Sequence, residues 1–100
     1  MSKLIALYKR PSDPQAFDQA YFTTHLPLIS RLPGLEKMAV TRFTRTVMGE
    51  DWYLMTEMIF ADRDTLKNAI RSPEMAAAGT NLSSFAEGLV TLLFGEEQKD

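Results

Sequence analysis

The chain has 100 residues, of which 45% are hydrophobic, and its formal net charge is −2. This length and composition predict one globular domain with a single apolar core and exclude a disordered chain. The cations are scattered among acids, which argues against the basic surface of a nucleic-acid-binding protein. Because there is no cysteine and only one histidine, disulfides, thiol catalysis and a structural zinc site are not expected.

The N-terminal sequence lacks the long apolar stretch of a signal peptide, and no apolar run is long enough to span a membrane. With the absence of cysteine, these features predict a cytoplasmic protein that binds neither a membrane nor a nucleic acid. No glycine-rich phosphate loop and no carboxylate cluster with metal-ligand spacing is present. We therefore expect no metal and no cofactor.

The chain begins with a predicted strand and a long predicted helix. Residues 4–8 are a short apolar run, which favours a strand. Asp13 followed by Pro14 is typical of a helix start, and apolar residues three and four apart extend this helix to about Leu32. Pro27 removes one backbone donor, so we expect a kink near Thr23.

The middle of the chain predicts a hairpin. Residues 35–46 form an extended segment, residues 48–51 a turn, and residues 52–60 a strongly apolar strand. Glu57 is the one acid in the middle of that strand. The simplest interpretation is a cross-strand pair with Arg42 or another cation across the hairpin, and the alternative is a place in a pocket.

The last part of the chain predicts two short helical stretches and a final strand. Residues 62–71 form the first stretch, and a second begins at Ser72 and ends near Asn81. Asn81 is favoured as its C-terminal cap, and the alternative is a donor in a pocket. Residues 82–87 are a connection of uncertain type, and residues 89–94 form the last strand. We therefore expect one domain over residues 1–95 and a polar tail over residues 96–100.

The element order is strand, helix, strand, strand, helix, strand. Its simplest solution is a ferredoxin-like α+β fold, in which a four-stranded antiparallel sheet carries two helices on one face. Both faces of the third and fourth strands are largely apolar, although water would favour a polar second face. We therefore expect a second copy of the chain to cover that face in a homodimer.

Several fragments spread over the chain have the pattern of a known family. They are residues 4–11, the motif Tyr21-Phe22-x-x-His25-x-Pro27-Leu28 after Phe17, Leu32-Pro33-Gly34-Leu35, Ser72-Pro73-Glu74 and residues 90–93. Together they resemble the EthD family. The resemblance implies a dimeric α+β barrel, in which two ferredoxin-like sheets pair. The family takes its name from a protein needed for bacterial degradation of ethyl tert-butyl ether, and its biochemical role is poorly defined.

His25 and Tyr21 are the candidate catalytic residues. His25 is the only histidine, and histidine is the side chain whose ordinary pKa lies near neutral pH. On an apolar helix face it is either a general acid or base in a pocket, or a core residue bonded to the backbone or to Tyr21. Tyr21 lies one turn earlier and shares the pocket in the first interpretation, whereas in the second it belongs to the core.

Further residues are candidates for a ligand-binding wall. Each is also a normal core residue or, for Glu57, a member of a cross-strand pair; they are Tyr8, Phe17, Phe22, Leu28, Met55 and Glu57. The resulting hypothesis is a cofactor-independent enzyme, of isomerase, cyclase or monooxygenase type, acting on a small hydrophobic compound in degradation or secondary metabolism. The alternatives are a ligand-binding or accessory protein without turnover and a structural dimer without a ligand.

Overall fold

The computed structural model describes residues 1–98 and contains one four-stranded antiparallel sheet in the order β2-β3-β1-β4. Helices pack on one face of this sheet, so the predicted ferredoxin-like fold is confirmed. The strands are β1 (Ser2–Lys9), β2 (Lys37–Arg42), β3 (Trp52–Phe60) and β4 (Val90–Glu96). Within the described residues, no helix is long and apolar enough to cross a membrane.

Three of the helices begin directly after a side-chain cap. They are α1 (Pro14–Ala20), a π-helical turn (Tyr21–His25), α2 (Leu26–Ile29), α3 (Arg63–Ile70) and α4 (Pro73–Ala86). Asp13, Asp62 and Ser72 each precede a helix and accept a hydrogen bond from a backbone N–H of its first turn. These caps satisfy donors that the helix itself leaves without partners.

The sequence predicted a regular first helix with a kink near Thr23, and this prediction is wrong. The helix widens into the π-helical turn, in which the backbone N–H of Leu26 donates to the carbonyl of Tyr21. Pro27 then lies in the first turn of α2, where its missing N–H costs no hydrogen bond within that helix. The proline is therefore accommodated by a change of helix type.

Three other boundaries differ from the sequence prediction. The second strand is limited to Lys37–Arg42, and an exposed loop replaces the rest of the predicted extended segment. The connection predicted over residues 82–87 is largely the last turn of α4, so Asn81 lies inside the helix and is not its cap. The fourth strand includes Glu96, which was assigned to the polar tail; residues 99–100 of that tail lie outside the described residues.

The two faces of the sheet differ in what covers them. Leu4, Ala6 and Tyr8 of β1 alternate with Ile5 and Leu7, and the first set is buried beneath the helices. The second set lies half-buried on the helix-free face. This face is largely apolar, as the sequence predicted, because the strand partners of Ile5 and Leu7 on that side include Met55 and Leu93.

The acid of β3 does not pair with Arg42. Glu57 lies opposite Ile5, and its carboxylate accepts a hydrogen bond from the Lys3 ammonium at 3.1 Å on the helix-free face. Arg42 instead pairs with Asp18 of α1 at 3.1 Å. Glu57 therefore forms a cross-strand ion pair, but its partner lies on β1 and not across the predicted hairpin.

Substitution of Gly34 tests how closely the loop after α2 packs against the Thr65 side chain of α3. Gly34 has a φ of +77°, and a Cβ there would collide with the Thr65 side chain of α3. Gly49, with a φ of +95°, has no atom within 4 Å of the same position and is the matched control. We predict that Gly34→Ala lowers the free energy of unfolding by at least about 1 kcal/mol more than Gly49→Ala. Equal losses in urea denaturation would contradict the proposed contact.

Candidate functional site

A cavity of about 60 Å³ lies between the sheet and the helices. The sheet contributes Ala6 and Tyr8 of β1 and Thr56 of β3, and the π-helical turn contributes Tyr21 and His25. Within residues 1–98, no Asp, Glu, Lys or Arg side chain lines the cavity. The cavity therefore combines an apolar wall with a few uncharged polar groups, which is the usual make-up of a small-molecule site.

Tyr21 connects the π-helical turn to the sheet. Its side chain is fully buried, and its hydroxyl forms a hydrogen bond with the hydroxyl of Thr56, which is 1% exposed. Burial raises the pKa of Tyr21, and the bond to Thr56 opposes this only in part. Tyr21 is therefore a neutral side chain at physiological pH, and its hydroxyl already has a protein partner.

His25 connects the same turn to α4. Its side chain is 3% exposed, and its Nδ1 lies 3.0 Å from Oδ1 of Asn81. The ring contacts Tyr21 on one side and Phe85 on another, with ring centroids 5.7 and 5.5 Å away. Burial lowers the pKa of His25, and the hydrogen bond to Asn81 opposes part of that shift. The imidazole is therefore held neutral near physiological pH.

Two polar atoms of the lining residues have no protein partner among the described residues: His25 Nε2 and the Tyr8 hydroxyl. Both side chains are almost wholly buried. Within residues 1–98, every side-chain nitrogen or oxygen that is completely inaccessible has a hydrogen-bond partner, so an atom without a partner must be accessible. These two atoms consequently border accessible space. Since both residues line the cavity, we conclude that this space is the cavity. Burial also raises the pKa of Tyr8, so its hydroxyl remains protonated and able to donate.

One helix supplies the wall opposite the sheet. Met75, Ala78, Gly79 and Leu82 of α4 line the cavity at three- and four-residue spacing, so they share one helix face. A Cβ at Gly79 would have no atom within 4 Å, and Gly79 itself is exposed. Gly79 therefore lies at the mouth of the cavity, where a glycine leaves the entrance wide.

The mouth continues into an apolar groove along the edge strand. Leu92 of β4 lines the cavity and is 54% exposed. Leu4, Met75 and Leu92 also line an adjoining groove of about 300 Å³. These three side chains form the boundary between the cavity and the groove. Among them, the Met75 side chain is flexible and can adapt to a ligand.

The structure brings together three of the residues predicted for the site and leaves the others outside the cavity lining. Tyr8, Tyr21 and His25 line the cavity, whereas Phe17, Phe22, Leu28, Met55 and Glu57 do not.

Each residue outside the lining has an identifiable place. Phe17 is core, stacked on Tyr21 at 5.9 Å, and Phe22 is 40% exposed beside the Arg42 guanidinium. Leu28 packs against the edge of the core. Met55 and Glu57 lie on the helix-free face, because they alternate with Thr56, which faces the helices.

Thr56 and Gly79 were not predicted as site residues, and Asn81 was favoured as a helix cap over a donor in the pocket. The sequence did carry a signal that the helix extends past Asn81, because the apolar spacing that begins at Met75 continues to Leu82. Thr56 is a polar residue on the buried side of a strand, which points to a required hydrogen bond. Within the described residues, no three His, Cys, Asp or Glu side chains are grouped to hold a metal.

Comparisons with known proteins agree with this architecture. The EthD domain model matches residues 9–88, most of the chain. An EthD family protein from Bacillus halodurans has a crystal structure similar to this fold, with 49% identity, a TM-score of 0.93 and coverage of 98% of this chain and 99% of that one.

Two further relatives extend the comparison. An uncharacterised 11.0 kDa protein in the thcB-thcC intergenic region of Rhodococcus erythropolis is 30% identical over 100 residues, or 98% of this chain and 96% of that one. A dimeric protein of unknown function with a ferredoxin-like fold, from Bacteroides fragilis, is 25% identical with a TM-score of 0.67. That match covers 96% of this chain and 95% of the other.

The buried imidazole predicts a specific pH dependence of stability. Because the folded-state pKa of His25 is lowered, the unfolded chain binds the proton first as the pH falls below about 6.5. We predict that the free energy of unfolding decreases between pH 7.5 and 5.5, by at most about 1.4 kcal/mol per pH unit.

The control is His25→Gln, which removes the only histidine and leaves every carboxylate in place. Urea denaturation of both proteins across this range should show a weaker pH dependence for the variant. Parallel curves would contradict a lowered pKa of His25.

Proposed function

We propose that this chain, which belongs to the EthD family, binds a small and largely apolar compound in the cavity beside His25. One observation carries the proposal. An almost wholly buried histidine borders a cavity with a ring nitrogen that has no protein partner among the described residues. A purely structural histidine of this burial would be expected to have both nitrogens bonded. The expected setting is a degradative or secondary-metabolic pathway.

The cavity must widen to receive an organic ring. Its volume of about 60 Å³ is well below the ~150 Å³ of an engineered cavity that binds benzene. The wall is well suited to widening at the mouth, since Leu92 is half exposed and Met75 has a flexible side chain. A ligand would therefore place one end beside His25 and the rest toward the groove at Leu92.

The favoured activity is cofactor-independent proton transfer, as in isomerisation or cyclisation. A neutral imidazole is a suitable general base, and burial keeps His25 neutral near physiological pH. The Tyr8 hydroxyl would donate a hydrogen bond to the oxygen on which negative charge develops. Oxygenation of an electron-rich substrate is the second activity, because removal of a substrate proton is also its first requirement.

The alternative function is a ligand-binding or accessory protein that does not change its ligand. Among the described residues that line the cavity, none is a carboxylate or an amine that could act as a second acid or base beside His25. This favours the alternative. The two functions differ in whether a bound compound is recovered unaltered after incubation with the protein.

We further propose that the protein is a homodimer that pairs through the helix-free face. Ile5, Leu7 and Met55 form an apolar surface there, and Leu93 continues it on β4 with 44% exposure. A contiguous surface of this kind is usually covered in a soluble protein. The ferredoxin-like relative from Bacteroides fragilis is itself dimeric, which supports this assembly.

A charge on this face tests the dimer. We predict that Leu93→Glu shifts the protein from two chains to one in size-exclusion chromatography with light scattering, because the carboxylate would be buried without a partner. Val47→Glu is the control, since Val47 is 91% exposed on a loop. A wild-type monomer, or a Leu93→Glu dimer as stable as the control, would contradict the proposed interface.

Closing the mouth of the cavity tests the binding site. Gly79→Trp places a large side chain at the entrance, and Ala77→Trp places the same side chain at an exposed α4 position outside the cavity lining. With fluorobenzene as the probe, ¹⁹F NMR should show binding to the wild type and to Ala77→Trp. We predict at least about tenfold weaker binding to Gly79→Trp, because the entrance is blocked. Equal binding by both variants would place the ligand elsewhere.

A further inference from the structure

The contact between Asn81 and His25 defines which ring nitrogen carries the proton. In the amide orientation that the structure assigns to Asn81, the atom 3.0 Å from Nδ1 is the amide oxygen, which only accepts hydrogen bonds. In this orientation Nδ1 carries the hydrogen and donates it. A neutral imidazole has one N–H, so Nε2 presents a lone pair. The burial that lowers the pKa of His25 keeps the ring in this neutral form.

Asn81 can hold this arrangement because it belongs to a rigid element. It lies inside the 14-residue helix α4, six residues after Met75 and two after Gly79, both of which line the cavity. Asn81 itself is not among the lining residues, so it acts through His25. It is therefore a positioning residue, comparable to the carboxylate or carbonyl partners that orient histidines in other sites.

The cavity then offers two complementary groups to a ligand. Nε2 of His25 accepts a hydrogen bond, and the Tyr8 hydroxyl both donates and accepts. The other two polar side chains of the lining, Tyr21 and Thr56, are bonded to each other through their hydroxyls. Because no ionised side chain lines the cavity, a charged ligand group would be buried without a counter-charge. A neutral hydroxyl group satisfies all these conditions, since it donates to Nε2 and accepts from Tyr8.

We propose that Asn81 holds His25 in the tautomer whose Nε2 accepts a hydrogen bond, and that the cavity therefore selects neutral ligands bearing a hydroxyl group, such as a phenol or an enol. This inference rests on the proposed function and names the ligand class of the same cavity. The apolar part of the ligand lies against Met75 and Leu92, where the lining has few polar atoms.

The first test observes the tautomer directly. A long-range ¹H–¹⁵N correlation spectrum at pH 8 distinguishes a protonated Nδ1 from a protonated Nε2 in the single histidine. We expect a protonated Nδ1 in the wild type and in Asn81→Asp, whose carboxylate also accepts from Nδ1. In Asn81→Leu the Nε2-protonated form should increase. A protonated Nε2 in the wild type, or an unchanged spectrum in a folded Asn81→Leu protein, would overturn the assignment.

The second test compares phenol with toluene, which differ by a hydroxyl in place of a methyl group. Titrations followed by NMR should give at least about tenfold tighter binding of phenol to the wild type, because toluene leaves Nε2 without a partner. Asn81→Asp should retain this preference at pH 8. Asn81→Leu should lose most of it while still binding toluene, and this retained binding also shows that the variant is folded.

The outcomes separate this inference from the proposed function. Equal affinity of the wild type for phenol and toluene would overturn the hydroxyl preference and leave the cavity as an apolar binding site. No binding of either compound would overturn the proposed function, and the ligand class with it. A preference for phenol that Asn81→Leu retains in full would overturn the role of Asn81 alone.

Discussion

The site depends on the π-helical turn from Tyr21 to His25. This turn ends directly before Pro27-containing α2, and it places two buried polar side chains on the same side of the chain. Tyr21 is then bonded to Thr56 of the sheet, and His25 to Asn81 of α4. The two bonds connect three elements of the fold: the π-helical turn, β3 and α4. Short π-helical segments are frequent at functional sites, because they redirect side chains that a regular helix would place elsewhere.

The cavity exists because bulky and small residues meet on its opposite walls. Tyr8 and Tyr21 form one wall with ring centroids 5.5 Å apart, and Phe17, which is outside the lining, packs against both rings. Opposite them, α4 presents Ala78 and Gly79, which do not fill the space above the sheet. A helix-interior glycine is unfavourable by roughly 0.5–1 kcal/mol relative to alanine. Its presence at the mouth exchanges some helix stability for access.

Much of the fold follows from local patterns in the sequence. The alternation along β3 and β4 predicts a sheet with two apolar faces, and the caps at Asp13, Asp62 and Ser72 define three helix starts. Such patterns do not predict which of two apolar faces meets the helices. For this reason Met55 and Glu57 were placed with the candidate ligand-binding residues, although both lie on the helix-free face.

The sequence predicted Tyr21 and His25 as members of the candidate site, but it did not predict their hydrogen-bond partners. Tyr21 and His25 share a helix face at four-residue spacing, and the single histidine is evident from composition. Their partners depend on tertiary contacts over 35 and 56 residues, which no local pattern encodes. Asn81 was missed for a further reason: asparagine is favoured at helix ends, so a residue inside α4 was interpreted as its cap.

The central claim is that the cavity beside His25 receives a ligand. Crystals of the protein soaked with 4-bromophenol would test this most directly, because the anomalous signal of bromine locates the probe independently of any bound water. We predict a bromine site at the Leu92 mouth of the cavity, with the phenol oxygen within hydrogen-bond distance of His25 Nε2. Bromine found only on outer surfaces, with the cavity unchanged, would contradict the account.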